Sequence, residues 1–358
     1  MAALLQPKVG VNLAGAVVAV ASRDRVLDLE AVGYADLESK KPMTPDTLFW
    51  IASESKAMTA AALMMLVDEG KVSIDASVET YLPEFRNLQV KVGERDGHPL
   101  LAPARHPIRI REILSHTSGL AFSSPAEVPT LDVGTLEARV RSYSRQPLNS
   151  QPGTKYDYSN EGINTAGRMI EVVSGMPYEA FMAKRLFIPL GMTDTTFMPT
   201  RDQLARLATS YKESDDKTKL VAIPIDQLKY PLDGPGRYPI PAGGLFSTAH
   251  DEVRFCQMLL NEGELDGVRY LSAGSVRAMT TRQSPPETKV AYGFGWNVSD
   301  AAYLHSGAYG TNILVEPGLG LIVAYMVQQS HGNYPNTSEN LSDLVNEAAL
   351  HLARPQSP

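Results

Sequence analysis

The chain reads as an α+β protein in which both ends contribute to one antiparallel sheet flanked by helices, with a mostly helical domain inserted between. Three observations carry that expectation. Residues 14–21 and 26–33 are apolar runs separated by the polar Ser22-Arg23-Asp24-Arg25, the pattern of a hairpin. The last third returns to strand character, with turn signals such as Pro317-Gly318 between the runs. The stretch between is dominated by helical patterns. The division expected is a sheet domain of residues 1–72 and 240–358, a mostly helical domain of 73–239, and an active site in the cleft between them.

In chain order, the hairpin is followed by the apolar run Leu48-Phe49-Trp50-Ile51, which stops at Ala52-Ser53. A strongly helical run begins there and continues through Ala60-Ala61-Ala62-Leu63-Met64-Met65-Leu66. Proline, glycine and charge then crowd residues 82–107. Helices are expected over 110–114, 136–145, 161–174 and 178–186. Strands are expected over 291–298, 301–305, 311–316 and 319–327. An amphipathic helix over 338–352 closes the chain, with Leu341, Leu344, Val345, Ala348 and Leu352 on one face.

Composition bounds the function. The 358 residues suffice for two domains or one large one. A net charge of −7, with the 33 basic residues scattered, argues against nucleic acid or an anionic membrane surface as partner. No apolar run reaches the length of a membrane span. Cys256 is the only cysteine, so no internal disulfide forms, and its place in the helical pattern Val253-Arg254-Phe255-Cys256 marks a buried structural thiol. The seven histidines never take H-E-x-x-H spacing, and no G-x-S-x-G elbow, P-loop or G-x-G-x-x-G is present. No cofactor or metal is expected. The first residues lack the basic start of a signal peptide, so the chain as given is expected in the cytoplasm, or in the periplasm or outside the cell if a leader was removed.

The most informative residues are Ser53 and Lys56. Three apart at the start of a helix, they share one face about a turn apart. The serine N–H stands among the unpaired donors of the first turn, where the helix dipole favours developing negative charge. A lysine beside the hydroxyl can take its proton if burial lowers the lysine pKa. S-x-x-K alone is a weak signal, and a second copy, Ser214-Asp215-Asp216-Lys217, sits in a charged loop with no helix after it. That copy reads as solvated surface.

Two further segments can complete the chemistry a nucleophile needs, a proton shuttle and donors for an oxyanion. In Tyr156-Asp157-Tyr158-Ser159-Asn160, extended backbone would project Tyr158 and Asn160 to the same side. A phenol beside a lysine can be pushed toward phenolate, and a carboxamide can orient a carbonyl; a packing tyrosine in an ordinary loop is the plainer alternative. In His305-Ser306-Gly307-Ala308, glycine allows close backbone approach, and the Ala308 N–H can pair with that of Ser53. His305 can bind an acidic group of a substrate or serve only the strand end.

Taken together and in this order, the three segments resemble the class C β-lactamase-like serine hydrolases, a group that includes D-Ala-D-Ala carboxypeptidases, D-aminopeptidases and family VIII carboxylesterases. The resemblance extends to Ile113-Leu114-Ser115-His116-Thr117-Ser118-Gly119-Leu120, to Pro189-Leu190-Gly191-Met192-Thr193-Asp194-Thr195, and to Ala242-Gly243-Gly244-Leu245-Phe246-Ser247-Thr248-Ala249. It implies a β-lactamase/transpeptidase-like fold and an acyl-enzyme on Ser53, with Lys56 its proton partner. Tyr158 would be general base and then acid, and Asn160, His305, Gly307 and Ala308 would bind substrate. His116, Gly119, Gly243 and Gly244 would be scaffold. The third motif departs from the K-T-G of typical class C β-lactamases, and a histidine there is only partly charged near neutral pH. The function expected is therefore a carboxylesterase on small esters with weak or no β-lactamase activity. The alternatives are a D-Ala-D-Ala carboxypeptidase or D-aminopeptidase, and a β-lactamase or penicillin-binding protein that acylates without turnover. The partner in every case is a small-molecule ester, amide or β-lactam.

Overall fold

A computed structural model describes residues 1–330 and 341–353. Its centre is a seven-stranded antiparallel sheet with strands in the order Asn297–Val298, Tyr303–Ser306, Asn312–Glu316, Leu321–Met326, Gly15–Ala21, Val26–Asp36 and Lys41–Pro42. The two ends of the chain meet where Val17 pairs with Met326 and Ala21 with Ile322. All seven strands lie outside residues 73–239.

Every residue of Gly15–Ala21 is buried, which explains why this strand shows no polar alternation. Val17, Ala19 and Ala21 face one core together with the helix Ser55–Asp68, while Ala16, Val18 and Val20 face a second core with Val345 and Ala349 of the helix Leu341–Ala353. An antiparallel strand covered on both faces reads as a continuous apolar run. The helix Ala249–Leu260 packs on the first face, across Gly15–Ala21 and Leu321–Met326. Cys256, on this helix, is a buried free thiol.

The helix Ser55–Asp68 is buried on all sides from Ser55 to Leu66, as a helix apolar all round should be. It packs against the helix Asn160–Ser174. That second helix starts at Ser159, whose Oγ accepts the Gly162 N–H at 3.0 Å, and ends at Gly175 in the left-handed conformation. The middle of the chain adds the helices Ile110–Leu114, Leu136–Tyr143 and Tyr178–Met182, the last running into a π-helical turn, Ala183–Phe187.

Two sequence expectations are corrected here. Residues 89–103, where the sequence predicts no strand, form a hairpin, Gln89–Arg95 with His98–Pro103. Most of its side chains are exposed, so no apolar pattern announced it, although Asp96-Gly97 is a hairpin-turn pair. Of 291–298, only Asn297–Val298 is strand. The rest is a tight turn in which Gly295, at φ 81°, leaves no room for a Cβ: one placed there would lie 2.8 Å from Ala57 Cα and 2.9 Å from the Lys56 carbonyl oxygen. The closing helix is described over Leu341–Ala353, and residues 338–340 of the expected range lie outside those described.

Gly295→Ala should therefore destabilise the protein. Overpacking typically costs about 1–3 kcal/mol, and a left-handed backbone for a residue with a Cβ adds on the order of 1 kcal/mol. Urea unfolding checks this; an unchanged midpoint would mean that the turn does not press on the helix.

Candidate active site

Ser53 stands on a single 3-10 turn, Ala52–Glu54, between the short strand Phe49–Trp50 and the helix Ser55–Asp68. Ala52 takes φ 44°, a left-handed conformation that a residue with a Cβ holds only when its surroundings impose it. The surroundings are the segment 242–247. Phe49–Trp50 pairs antiparallel with Phe246–Ser247, and the Ile51 N–H donates to the Leu245 carbonyl at 3.0 Å. The Trp50 indole donates to the Gly243 carbonyl at 2.8 Å. Ser55 Oγ donates to the Ala52 carbonyl at 2.6 Å and accepts the Leu245 N–H at 3.1 Å. The Ala242-Gly243-Gly244-Leu245 motif thus fixes the serine turn.

Lys56, one helical turn on, is completely buried. Its Nζ lies 3.0 Å from Ser53 Oγ, 2.6 Å from the Ala242 carbonyl oxygen and 4.7 Å from the centre of the Tyr158 ring. Burial pulls its pKa well below the ordinary lysine range. Nζ donates to both oxygens, and loss of its proton would free a lone pair beside the Ser53 hydroxyl.

The Tyr158 hydroxyl interacts with Ser53, which favours phenolate, yet burial outweighs that interaction and pushes the phenol pKa up. The expected drift toward phenolate is corrected: the ammonium that would draw the proton off is itself disfavoured by the same burial. Asn160 also departs from expectation. It is not extended but opens the helix, with its N–H donating to the Phe122 carbonyl at 3.1 Å. Its Oδ1 is buried with no hydrogen-bond partner among the described residues. The Phe122 ring, 57% exposed, stacks 6.2 Å from that of Tyr158 and adds an apolar wall.

His305, on the strand Tyr303–Ser306, is only 2% exposed. Nδ1 lies 3.0 Å from its acceptor, the Ser306 carbonyl, and Nε2 accepts from the Tyr292 hydroxyl at 3.1 Å. Burial, helped by the proximity of Lys56, pulls its pKa down to about 3. The expectation of a partly charged histidine that meets an acidic group is corrected, because both ring nitrogens are used and the ring is neutral. Beyond it, a Cβ on Gly307 would lie 2.6 Å from the Ile51 carbonyl oxygen. Glycine therefore lets this turn press onto the backbone just before Ser53, with Ala308 exposed beside it.

Several features were not legible in the sequence. Tyr292, in the run read as strand, anchors His305 and packs its ring 4.7 Å from that of His116. Tyr309 is buried edge-on against Trp50, and its hydroxyl donates to Asp226 at 3.0 Å. Glu54 and Glu252 are both buried, and each has carboxyl oxygen without a well-formed hydrogen bond. Burial and the charge of Glu252 push the Glu54 pKa well up, and burial carries Glu252 to about 8. The second S-x-x-K copy lies in the turn between the strands Ser210–Glu213 and Leu220–Ile223. Among the described residues, no group of three or more His, Cys, Asp or Glu can hold a metal, and no helix is long and apolar enough to cross a membrane.

A serine hydroxyl flanked by a buried amine and a phenol, beside the end of a strand of an antiparallel sheet, belongs to the serine hydrolases. The family model described as Beta-lactamase matches residues 1–345, and the chain belongs to that family. Protein Rv1367c of Mycobacterium tuberculosis is 33% identical over 96% of this chain and 93% of its own. Esterase EstB of Burkholderia gladioli is 28% identical over 89% of this chain and 87% of its own. Among solved structures, EstCE1, a hydrolase with promiscuous acyltransferase activity, shares the fold at a TM-score of 0.80, with 24% identity over 98% of this chain and 97% of its own.

The buried carboxyls make stability depend on pH. Unfolded, each glutamate ionises near about 4.3; folded, both hold their protons to higher pH. The folded state therefore binds more protons between those limits, and stability falls as pH rises through that window. The loss for Glu252 between about pH 5 and pH 8 should be on the order of 3 kcal/mol. Glu252→Gln, which keeps shape without charge, should flatten the fall when Tm is followed across that range. An identical slope in the variant would place the titration elsewhere.

Proposed function

We propose that this protein is a carboxylesterase that cleaves small uncharged esters through an acyl-enzyme on Ser53. The observation that supports this most directly is His305. Buried and neutral, it gives the third motif no positive charge to meet a carboxylate beside the scissile bond. A β-lactam or a peptide ending in D-alanine carries such a carboxylate; a simple ester does not. Similarity to esterase EstB agrees with this preference. The exposed Phe122 beside Tyr158 offers an apolar contact for the acyl or alcohol portion.

In the proposed reaction, neutral Lys56 takes the Ser53 proton as Oγ attacks the ester carbonyl. The N–H groups of Ser53 and Ala308 receive the oxyanion. Tyr158, a phenol at rest, protonates the departing alkoxide and regains a proton from the Lys56 ammonium. Water then repeats the sequence on the acyl-enzyme, and Asn160 orients the substrate carbonyl. The site lies in the cleft between the sheet domain and the inserted domain of residues 73–239.

Ser53→Ala should abolish hydrolysis, a loss on the order of a million-fold for a nucleophile in such a unit. Wild type should turn over a short-chain p-nitrophenyl ester with kcat/KM at least about ten-fold above that for a matched ester bearing a carboxylate next to the scissile bond, or for nitrocefin; one charged contact is worth about 1.5–3 kcal/mol. Steady-state assays at equal enzyme concentration decide. Equal or better rates on the charged substrates would favour the carboxypeptidase or β-lactamase alternatives.

A further inference from the structure

We infer that His116 is a positioning residue that holds Tyr158 in place for proton transfer from both sides of its backbone. This rests on the proposed role of Tyr158. Three contacts converge on the tyrosine. The His116 carbonyl accepts the N–H of Asp157 at 2.8 Å, and His116 Nδ1 accepts the N–H of Ser159 at 3.1 Å. One residue therefore ties down the amides immediately before and after Tyr158. The His116 ring also packs 4.4 Å, centre to centre, from the Tyr158 ring.

The backbone of His116 shows that this arrangement is imposed. It sits at φ 58°, left-handed, which aims the carbonyl and the ring at the same short segment. The ring is completely buried, and its Nε2 has no hydrogen-bond partner among the described residues. Acceptance at Nδ1 puts the proton on Nε2, and burial keeps the ring from taking a second one. A leucine or phenylalanine would fill such a pocket without leaving a buried N–H unpaired. What histidine adds is the acceptor at Nδ1. Its far side contacts Tyr292, the partner of His305, so the same ring links the tyrosine segment to the strand Tyr303–Ser306.

Tyr158 needs such a clamp. It lies on residues 154–159, which are neither helix nor strand, and its hydroxyl must stay within reach of Ser53. An ångström of misplacement can cost about a hundred-fold in rate.

Two substitutions separate the acceptor from the packing. His116→Phe keeps the ring and removes the acceptor. His116→Asn removes the ring but tolerates the left-handed backbone and places an oxygen close to where Nδ1 stands. His116→Phe should lower kcat for p-nitrophenyl butyrate about a hundred-fold with KM within about three-fold, while His116→Asn stays within about ten-fold of wild type. Combined with Tyr158→Phe, His116→Phe should cost little more, because its effect passes through the phenol. A folded His116→Phe with wild-type kcat would overturn the clamp. So would a folded His116→Asn that loses a hundred-fold, or a His116→Phe loss that multiplies in full with that of Tyr158→Phe. Ser53 labelling by a fluorophosphonate, read by mass spectrometry, keeps the two claims apart. A wild type that does not label would overturn the nucleophile assignment and the clamp with it. A wild type that labels, beside an unimpaired His116→Phe, overturns the clamp alone.

Discussion

Much of this structure follows from burying one lysine amine beside one serine hydroxyl. Lys56 is sealed within a helix buried on all sides, with Nζ between Ser53 Oγ and the Ala242 carbonyl. A charged amine in such a place is penalised heavily, and a neutral one is not. The burial that builds the core therefore also prepares the base. The same burial keeps Tyr158 protonated and His305 uncharged, so the two groups beside the amine rest neutral. In the proposed reaction, charge appears only when substrate arrives, and donors fixed in advance receive it.

The surroundings serve that constraint. The left-handed Ala52 holds because hydrogen bonds from segment 242–247 fix the turn on both sides of it. Gly307 brings the turn after the strand Tyr303–Ser306 against Ile51, and Gly295 brings another turn against the Lys56 carbonyl. Each glycine marks a place where backbone meets backbone and a methyl group would force the site apart. Glu54, the residue after the nucleophile, extends the same environment inward to Glu252 and Cys256, a pocket of groups held in their protonated forms.

How much of this was legible depended on how local the cause was. Ser53 and Lys56 could be paired from spacing alone, because a helix fixes the geometry of residues three apart. The strands that join the two ends could be found because burial on both faces writes a long apolar run. The hairpin at 89–103 is exposed and leaves little pattern, and the aromatic, glycine-rich 291–296 imitates a strand while forming a turn. Asn160, which in extended chain would face the same way as Tyr158, instead joins the first turn of a helix that Ser159 caps through its own side chain. Least legible were protonation states. That His305 is neutral depends on Tyr292 and on burial, and the proximity of Glu54 to Glu252 depends on packing between segments far apart in sequence.

Burial holds the pKa of the Lys56 amine well below the ordinary lysine range, and the proposed reaction needs its neutral form. This is tested most directly by following the lysine side chains by NMR through a pH titration, with the Lys56 signal assigned by its loss in Lys56→Arg. Ordinary lysines titrate near about 10.4. The Lys56 resonance should titrate well below those of the other lysines. A Lys56 signal that titrates together with the surface lysines would contradict this.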